Sequence, residues 1–192
     1  MGARAKAKEE TREALVDAAQ TLFAKRGFDA PSLDEICERA GYTRGAFYVH
    51  FADRDALVTA VMQRVGRRFL DALMGAEDDD LAMIATRFVA AMAAGEYPLT
   101  RKGGIRPYQL LEACARSRAI RAEYVGLVDD TMKRLATATR RTQNERRMRK
   151  DLSPDAVAFL LVSAVIGVHT LMDLEVEVDL SGSARFLMEL LA

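Results

Sequence analysis

Residues 32–57 of this chain read SLDEICERAGYTRGAFYVHFADRDAL and carry the boundary signals of consecutive short helices. Ser32 opens an S-x-x-E capping box, in which two residues satisfy free backbone donors at the start of a helix. Gly41 is typical of the residue that follows a helix, and Thr43 is a second N-cap. Two short helices joined by a tight glycine turn form the organisation of a helix-turn-helix unit.

Helical signals continue on both sides of this stretch. Apolar residues recur at helical spacing from Thr11 to Lys25, and Asp53 is the predicted N-cap of a helix that runs to about Gly75. The sequence therefore predicts an all-α fold of about nine helices, with a three-helix N-terminal domain over 1–55 and a longer helical domain over 56–192. The later helices are predicted over 81–94, 107–117, 119–147, 153–172 and 181–192, with a glycine-containing connection over 97–106.

Composition limits the classes of function. Half of the 192 residues are apolar, and the formal net charge is zero. Residues 1–55 hold nine Lys or Arg against ten Asp or Glu, a net charge of −1. Any affinity for DNA must therefore come from the local placement of charge. Cys37 and Cys114 have no metal-type spacing and indicate reduced thiols. The charged N-terminus does not resemble a signal peptide, so we expect a cytoplasmic protein.

Residues 157–172 form the most apolar stretch of the chain. The stretch is short for a membrane span and follows a soluble-type cap at Ser153 and Pro154, so we interpret it as a buried core helix. Its apolar residues lie nearly all round the helix, which suits a helix that faces its own core and a partner subunit together. The candidate dimer-interface residues are Leu160, Ala164, Val168, Leu171, Phe186 and Leu190.

An enzyme is not expected from this sequence. The chain holds two histidines and lacks a G-x-S-x-G motif, a phosphate-binding glycine loop and a cluster of metal ligands. We therefore expect neither a cofactor nor a metal site.

The helix after Thr43 has the residues that a DNA-contacting helix needs. Phe47 and Phe51, four residues apart, are predicted to face the domain core. Gly45 has no side chain, which allows the helix to approach DNA closely. The Tyr48 hydroxyl can donate to a phosphate, and Arg44 can bind the two acceptors of guanine in the major groove.

The stretch closely resembles the helix-turn-helix of TetR-family repressors, whose pattern is T-x-x-x-I-A-x-x-A-G-V-S-x-G-x-[LF]-Y-x-H-F-x-[NSD]-K-[ED]-x-L. The resemblance covers roughly the first sixty residues, and beyond them only helix number and length agree with the family. Cys37 and Tyr42 depart from the pattern by replacing small residues. The matching residues are Ser32, Ile36, Ala40, Gly41, Thr43, Gly45, Phe47, Tyr48, His50, Phe51, Asp53, Asp55 and Leu57.

The resemblance implies a DNA-binding domain over 1–55, a helical effector-binding and dimerisation domain over 56–192, and a set of DNA contacts. Arg44, Gly45 and Ala46 are expected to line the major groove, and Tyr42 is a further candidate for a contact to the DNA backbone. The residues expected at phosphates are Ser32, Thr43, Tyr48, His50 and Arg54. The phosphate bond of His50 would be stronger if its ring is protonated. Arg4, Lys6 and Lys8 are expected either to form a flexible arm on DNA or to be an ordinary frayed terminus.

Candidate effector ligands come from aromatic, methionine and polar residues of the later helices. His169 is either a hydrogen-bonded core residue or a ligand contact, and the methionines and aromatics are either core or cavity lining. The basic residues between Arg140 and Lys150 are interpreted as a solvated helix end rather than a second DNA surface. The candidate effector-binding residues are Phe88, Met92, Tyr108, Glu112, Tyr124 and His169.

We therefore expect a homodimeric transcriptional repressor that binds a palindromic operator and is released by a small molecule. Two-fold symmetry places the recognition helices about 34 Å apart, one turn of DNA, or more. Two alternatives stay open at this point: a helical small-molecule-binding protein that no longer binds DNA, and an enzyme with a cryptic C-terminal site.

Overall fold

The computed structural model describes residues 2–75, 79–95 and 107–191, and within these residues the chain is helical with no strand. The all-α fold with nine helices is confirmed for this part of the chain. The predicted connection over 97–106 lies outside the described residues. The helices are α1 (Ala3–Arg26), α2 (Leu33–Ala40), α3 (Arg44–His50), α4 (Arg54–Met74), α5 (Leu81–Ala93), α6 (Pro107–Arg116), α7 (Arg118–Asn144), α8 (Pro154–Asp173) and α9 (Leu180–Leu191).

Local signals set the ends of the short helices as predicted. The Ser32 hydroxyl accepts a hydrogen bond from the backbone N–H of Glu35, and the Ser32 N–H donates to the Glu35 carboxylate at 2.7 Å, so the capping box is complete. Gly41 ends α2 in the left-handed region at φ 77°, a conformation that suits glycine. Thr43 then caps α3, and Asp53 accepts from the N–H of Ala56 at the start of α4.

The described residues divide into two compact units. The first unit lies within Met1–Val65 and Pro98–Tyr124, and the second within Gly66–Tyr97 and Val125–Ala192. This division differs from the expected boundary between residues 55 and 56, because the first half of α4 shares a core with the first three helices. The buried core residues of the first unit include Leu15, Phe23, Ile36, Phe47, Phe51, Leu57, Val61, Ala113 and Ile120.

Helix α1 is longer than the sequence indicates. The amphipathic pattern predicts a start near Thr11, whereas the helix begins at Ala3 and has 24 residues. Arg4, Lys6 and Lys8 are therefore exposed residues of a helix and form neither a flexible arm nor a frayed terminus, and their contact with DNA stays a prediction. The reason is that the first two turns bury nothing, so they leave no apolar period although their alanines and lysines favour a helix.

The second unit is organised around the start of α5. Asp80 caps α5 through the N–H of Met83 and also pairs with Arg147, while Asp79 forms an ion pair with Arg87. Arg141 of α7 donates to the carbonyl of Asp79. These bonds join the N-terminus of α5 to the end of α7. The buried residues of this unit are Leu81, Ile84, Leu135, Ala136, Ala138, Met148, Val157, Ala158 and Leu191.

Helix α8 is not the buried core helix that the sequence suggests. Among the described residues it is the one helix that is long and apolar enough to cross a membrane, and 17% of its apolar window is buried in the single chain. Val157 and Ala158 pack into the core of the second unit, whereas Leu160 is 61% exposed. An apolar composition indicates that a helix is covered, but not which molecule covers it. One such helix is weak evidence for a membrane span.

We expect Ser32→Ala to lower the free energy of unfolding by about 1 kcal/mol, because the Glu35 amide loses its side-chain acceptor. Ser32→Asp keeps an acceptor at the same position and should stay close to the wild type. Urea denaturation followed by circular dichroism measures both variants. Equal stability of the alanine variant and the wild type would contradict this role of the capping box.

Candidate nucleic-acid interface

Helix α3 is held in place by two aromatic side chains on one of its faces. Phe47 is fully buried and Phe51 is 4% exposed, and their ring centroids lie 5.5 Å apart. Tyr48 packs edge-to-face on Phe47 while 56% of its surface stays exposed. A helix of seven residues is too short to persist alone in water, so these contacts decide how it is presented.

The face opposite these rings is open. With 3.6 residues per turn, Gly45 and Val49 lie one above the other on the side away from Phe47 and Phe51. Val49 is 63% exposed, an unusual position for a β-branched apolar residue. Sequence reasoning missed Val49, although its spacing from the two phenylalanines could have identified it. The outward face of α3 is therefore narrow, apolar at Val49 and open at Gly45.

The remaining residues of α3 lie on its two flanks. Arg44 and Tyr48 share one flank and are both exposed, whereas Ala46 and His50 share the other and are half-buried. The Thr43 hydroxyl accepts from the Ala46 N–H at 3.3 Å, which closes the start of the helix. The structure thus brings most of the predicted DNA contacts onto one continuous surface.

The fold does not require glycine at position 45. A Cβ atom built at Gly45 would meet only the Thr43 hydroxyl at 3.6 Å, an ordinary van der Waals distance, and the backbone there is helical. Gly41, by contrast, has a positive φ that disfavours any side chain. The chain would therefore tolerate alanine at position 45, and the glycine leaves room for a molecule outside the chain to approach the helix closely.

Two further candidates lie beside α3. Ser32 is exposed and keeps its hydroxyl in the capping box, and Tyr42 is 37% exposed while its N–H donates to the Cys37 carbonyl. Arg44 forms an ion pair with Asp34 of α2, with 3.3 Å between Nε and Oδ1. Sequence reasoning did not anticipate this partner, because α2 and α3 come together only across the turn.

His50 lies close to the basic start of α1. Burial lowers the pKa of His50, and the positive charges of Lys8 and Arg12 lower this pKa further. The neutral form of the ring is therefore favoured before any phosphate is bound. The same proximity places Lys8 and Arg12 near the C-terminal end of α3. Arg12 also lies over the Phe51 ring, 5.5 Å from its centroid.

Arg54 has a different environment from the one expected. Its guanidinium donates to the carbonyl of Phe28 and lies 5.7 Å from the centroid of Phe23, and burial lowers its pKa. The half-buried side chain ties the start of α4 to the residues at the end of α1. The geometry thus gives Arg54 an anchoring role, and the expected phosphate contact stays a prediction.

The basic residues near the end of α7 are occupied within the second unit. Arg140 pairs with Asp155, Arg147 with Asp80 and Glu145, and Arg149 with Asp151. Because these three arginines are paired with acidic side chains, the basic segment does not require a second DNA surface as its explanation.

The candidate effector residues belong to both units. Phe88, Met92 and His169 lie in the second unit, where the Phe88 and His169 rings are 6.4 Å apart edge-to-face. Burial lowers the pKa of His169, whose Nδ1 lies 2.9 Å from the Val165 carbonyl. Tyr108, Glu112 and Tyr124 lie in the first unit, the first two exposed and Tyr124 half-buried. Each set is therefore a separate group of candidates.

Neither cysteine is in an environment that favours a reactive thiolate. Cys37 and Cys114 are free and buried, and burial raises the pKa of each thiol. No group of three or more metal-ligating side chains occurs among the described residues.

Residues 15–61 match a protein-family model described as bacterial regulatory proteins, tetR family. Over 55 residues the chain is 42% identical to the HTH-type transcriptional regulator AcrR of Shigella flexneri, a match that covers 29% of this chain and 26% of AcrR. It is 44% identical over 54 residues to TtgR of Pseudomonas putida, covering 28% of this chain and 26% of TtgR. The match thus spans about a quarter of the length of these curated relatives.

Likeness to solved structures extends over nearly the whole chain. Reduced NemR of Escherichia coli superposes with a TM-score of 0.78 at 17% identity, covering 94% of this chain and 96% of NemR. A regulatory protein TetR from Rhodobacter sphaeroides superposes with a TM-score of 0.72 at 22% identity, covering 92% of this chain and 95% of that protein. SmeT of Stenotrophomonas maltophilia, the repressor of a multidrug efflux pump, superposes with a TM-score of 0.64 at 26% identity, covering 94% of this chain and 89% of SmeT. SmeT has also been solved in complex with triclosan.

The position of His50 can be checked by its titration. Because the chain has two histidines, NMR can follow both rings separately. We expect both to titrate below the ordinary histidine pKa, and Lys8→Gln to raise the pKa of His50 because it removes a nearby positive charge. Lys6→Gln is the matched control and should leave the titration of His50 in place. An unmoved His50 in the Lys8 variant would contradict the described contact between α1 and α3.

Proposed function

We propose that this chain is a TetR-family transcriptional repressor that binds a palindromic operator as a homodimer and is released by a small molecule. The proposal is supported by the family-model match over residues 15–61 and by the likeness to AcrR and TtgR. We propose that it acts in the cytoplasm. The observation that carries the proposal is the presentation of α3, which turns Phe47 and Phe51 inward and leaves Gly45 and Val49 uncovered.

The exposed residues of α3 suit the major groove. Arg44 can donate two parallel hydrogen bonds to guanine N7 and O6, and Val49 suits the methyl group of thymine. Tyr48 and Ser32 can donate hydroxyl protons to phosphates beside the groove, which sets register without reading sequence. The near-neutral charge of residues 1–55 makes these local contacts, with Lys8 and Arg12, the source of affinity.

Dimerisation would use the uncovered faces of α8 and α9. Leu160 and Leu171 of α8 and Phe186 and Leu190 of α9 are 42–62% exposed in the single chain. Side chains of this kind rarely form a contiguous exposed surface on a monomer. Packing two such helices against two of a second copy would make a four-helix bundle and set the spacing of the two α3 helices.

Release by an effector requires a ligand that prefers one of two conformations. Its effect on operator binding is limited by the difference between its affinities for the two. Phe88, Met92 and His169 are candidate contacts for this ligand in the second unit, and Tyr108, Glu112 and Tyr124 are candidates in the first. Helix α4 contributes residues to both units, so we propose that its movement transmits the response.

DNA binding is tested with Gly45→Ala. This variant should be at least as stable as the wild type, since alanine favours a helix by up to about 1 kcal/mol and the added methyl fits the chain. Its affinity should nevertheless fall on the order of tenfold, because the methyl group lies where DNA must approach. Fluorescence anisotropy measures binding to a duplex that the full-length wild type selects from a randomised library.

Gly126→Ala is the matched control for this experiment. Gly126 lies within α7, and a Cβ there meets nothing within 4 Å. This variant should gain similar stability without any loss of DNA affinity. If no duplex is selected, or if Gly45→Ala binds as tightly as the wild type, the proposed docking of α3 is wrong.

The dimer surface is tested with Leu160→Lys. Charged residues are depleted from the centre of protein interfaces, so a lysine there should convert the dimer to a monomer and weaken operator binding with it. Light scattering after size-exclusion chromatography measures the mass. Leu111→Lys replaces a similarly exposed leucine on α6, 57% exposed, and should leave the dimer unchanged. A dimer that survives Leu160→Lys would place the interface elsewhere.

A further inference from the structure

An acidic side chain stands beside the main candidate for base recognition. Asp34 is the second residue of α2 and Arg44 is the first residue of α3, and the turn between the helices brings Oδ1 of Asp34 to 3.3 Å from Nε of Arg44. The two side chains are 69% and 57% exposed, so the pair lies on the surface that contains α3.

A carboxylate at this position opposes binding to a polyanion. It repels phosphates, and it neutralises a cation that would otherwise attract them. Residues 1–55 already carry a net charge of −1, so this domain has no excess of positive charge to attract DNA of any sequence.

The ion pair between Asp34 and Arg44 contributes little to folding stability. Ion pairs between exposed side chains contribute little to folding, because water and salt screen them. The start of α2 is already served by Glu35, whose carboxylate accepts from the Ser32 N–H and pairs with Arg26 at 3.0 Å. Asp34 also lies in the first turn of α2, where the helix dipole favours an acidic side chain by a modest amount, and its contact with Arg44 is a separate feature.

The chemistry of arginine gives this contact a use. The side chain is long and flexible, but its guanidinium is a rigid plane with five N–H donors. The Asp34 carboxylate pairs with the guanidinium on its Nε side at 3.3 Å, which favours one orientation of the plane and leaves the outer N–H groups available. Guanine offers N7 and O6 to two parallel donors, so an arginine whose plane is already set loses less freedom when it binds.

We propose that Asp34 is a positioning residue that orients the guanidinium of Arg44 for recognition of a guanine in the operator, an inference that rests on the proposed function. Asp34 lowers affinity for DNA of any sequence and raises the ratio between specific and non-specific binding. It acts through Arg44 and touches no base itself.

The test uses the full-length protein and the duplex selected by the wild type. Each guanine of one half-site is replaced in turn by 7-deazaguanine, which lacks the N7 acceptor. The wild type should lose affinity on the order of tenfold at one guanine, and Arg44→Ala should lose that discrimination. Asp34→Asn should bind a scrambled duplex more tightly than the wild type does, yet discriminate less at that same guanine.

Two comparisons separate positioning from charge alone. Glu38→Gln also removes one exposed carboxylate from α2, so it should tighten binding to the scrambled duplex while keeping full discrimination. In an Arg44→Ala background, Asp34→Asn should no longer change discrimination. Measurements at several salt concentrations distinguish the general electrostatic effect, which salt weakens, from base recognition.

The outcomes are distinct. If Asp34→Asn tightens binding to both duplexes equally, Asp34 only repels phosphates and the inference is overturned while the proposed function stands. The inference also fails if no guanine depends on N7, or if Arg44→Ala discriminates as the wild type does. Absence of any DNA binding by the wild type overturns the proposed function and the inference together.

Discussion

The burial of Phe47 and Phe51 is the contact on which the DNA-facing surface depends. Helix α3 has seven residues and cannot persist by its own hydrogen bonds, so its orientation is whatever these two rings allow. Once they are inserted into the core of the first unit, the helical period decides every other position. Gly45 and Val49 must face outward, and Arg44 and Tyr48 must share a flank.

The surface around α3 has charged side chains at specific positions but no overall excess of positive charge. Lys8 and Arg12 of α1 lie near His50 at one end of α3, and Asp34 meets Arg44 at the other. Arg54, which the family pattern places among the phosphate contacts, instead holds the Phe28 carbonyl. A near-neutral domain can therefore bind DNA only where a few side chains are held in position, which favours recognition of sequence over general attraction.

The second unit shows the converse situation, with excess apolar surface. Helix α8 packs Val157 and Ala158 into its own core and leaves Leu160 and Leu171 uncovered, and α9 adds Phe186 and Leu190. Among the described residues, nothing covers these four side chains in the single chain. Their exposure is what a symmetric partner would relieve.

The sequence by itself determined the helix boundaries at Ser32, Gly41, Thr43 and Asp53, because capping depends on atoms within one turn of the chain. It also determined the inward face of α3 from the spacing of two phenylalanines. Only the tertiary structure decided that Arg54 turns inward, that Asp34 meets Arg44 and that α1 reaches His50. These contacts join residues from different helices, and their geometry depends on packing angles that no local pattern records.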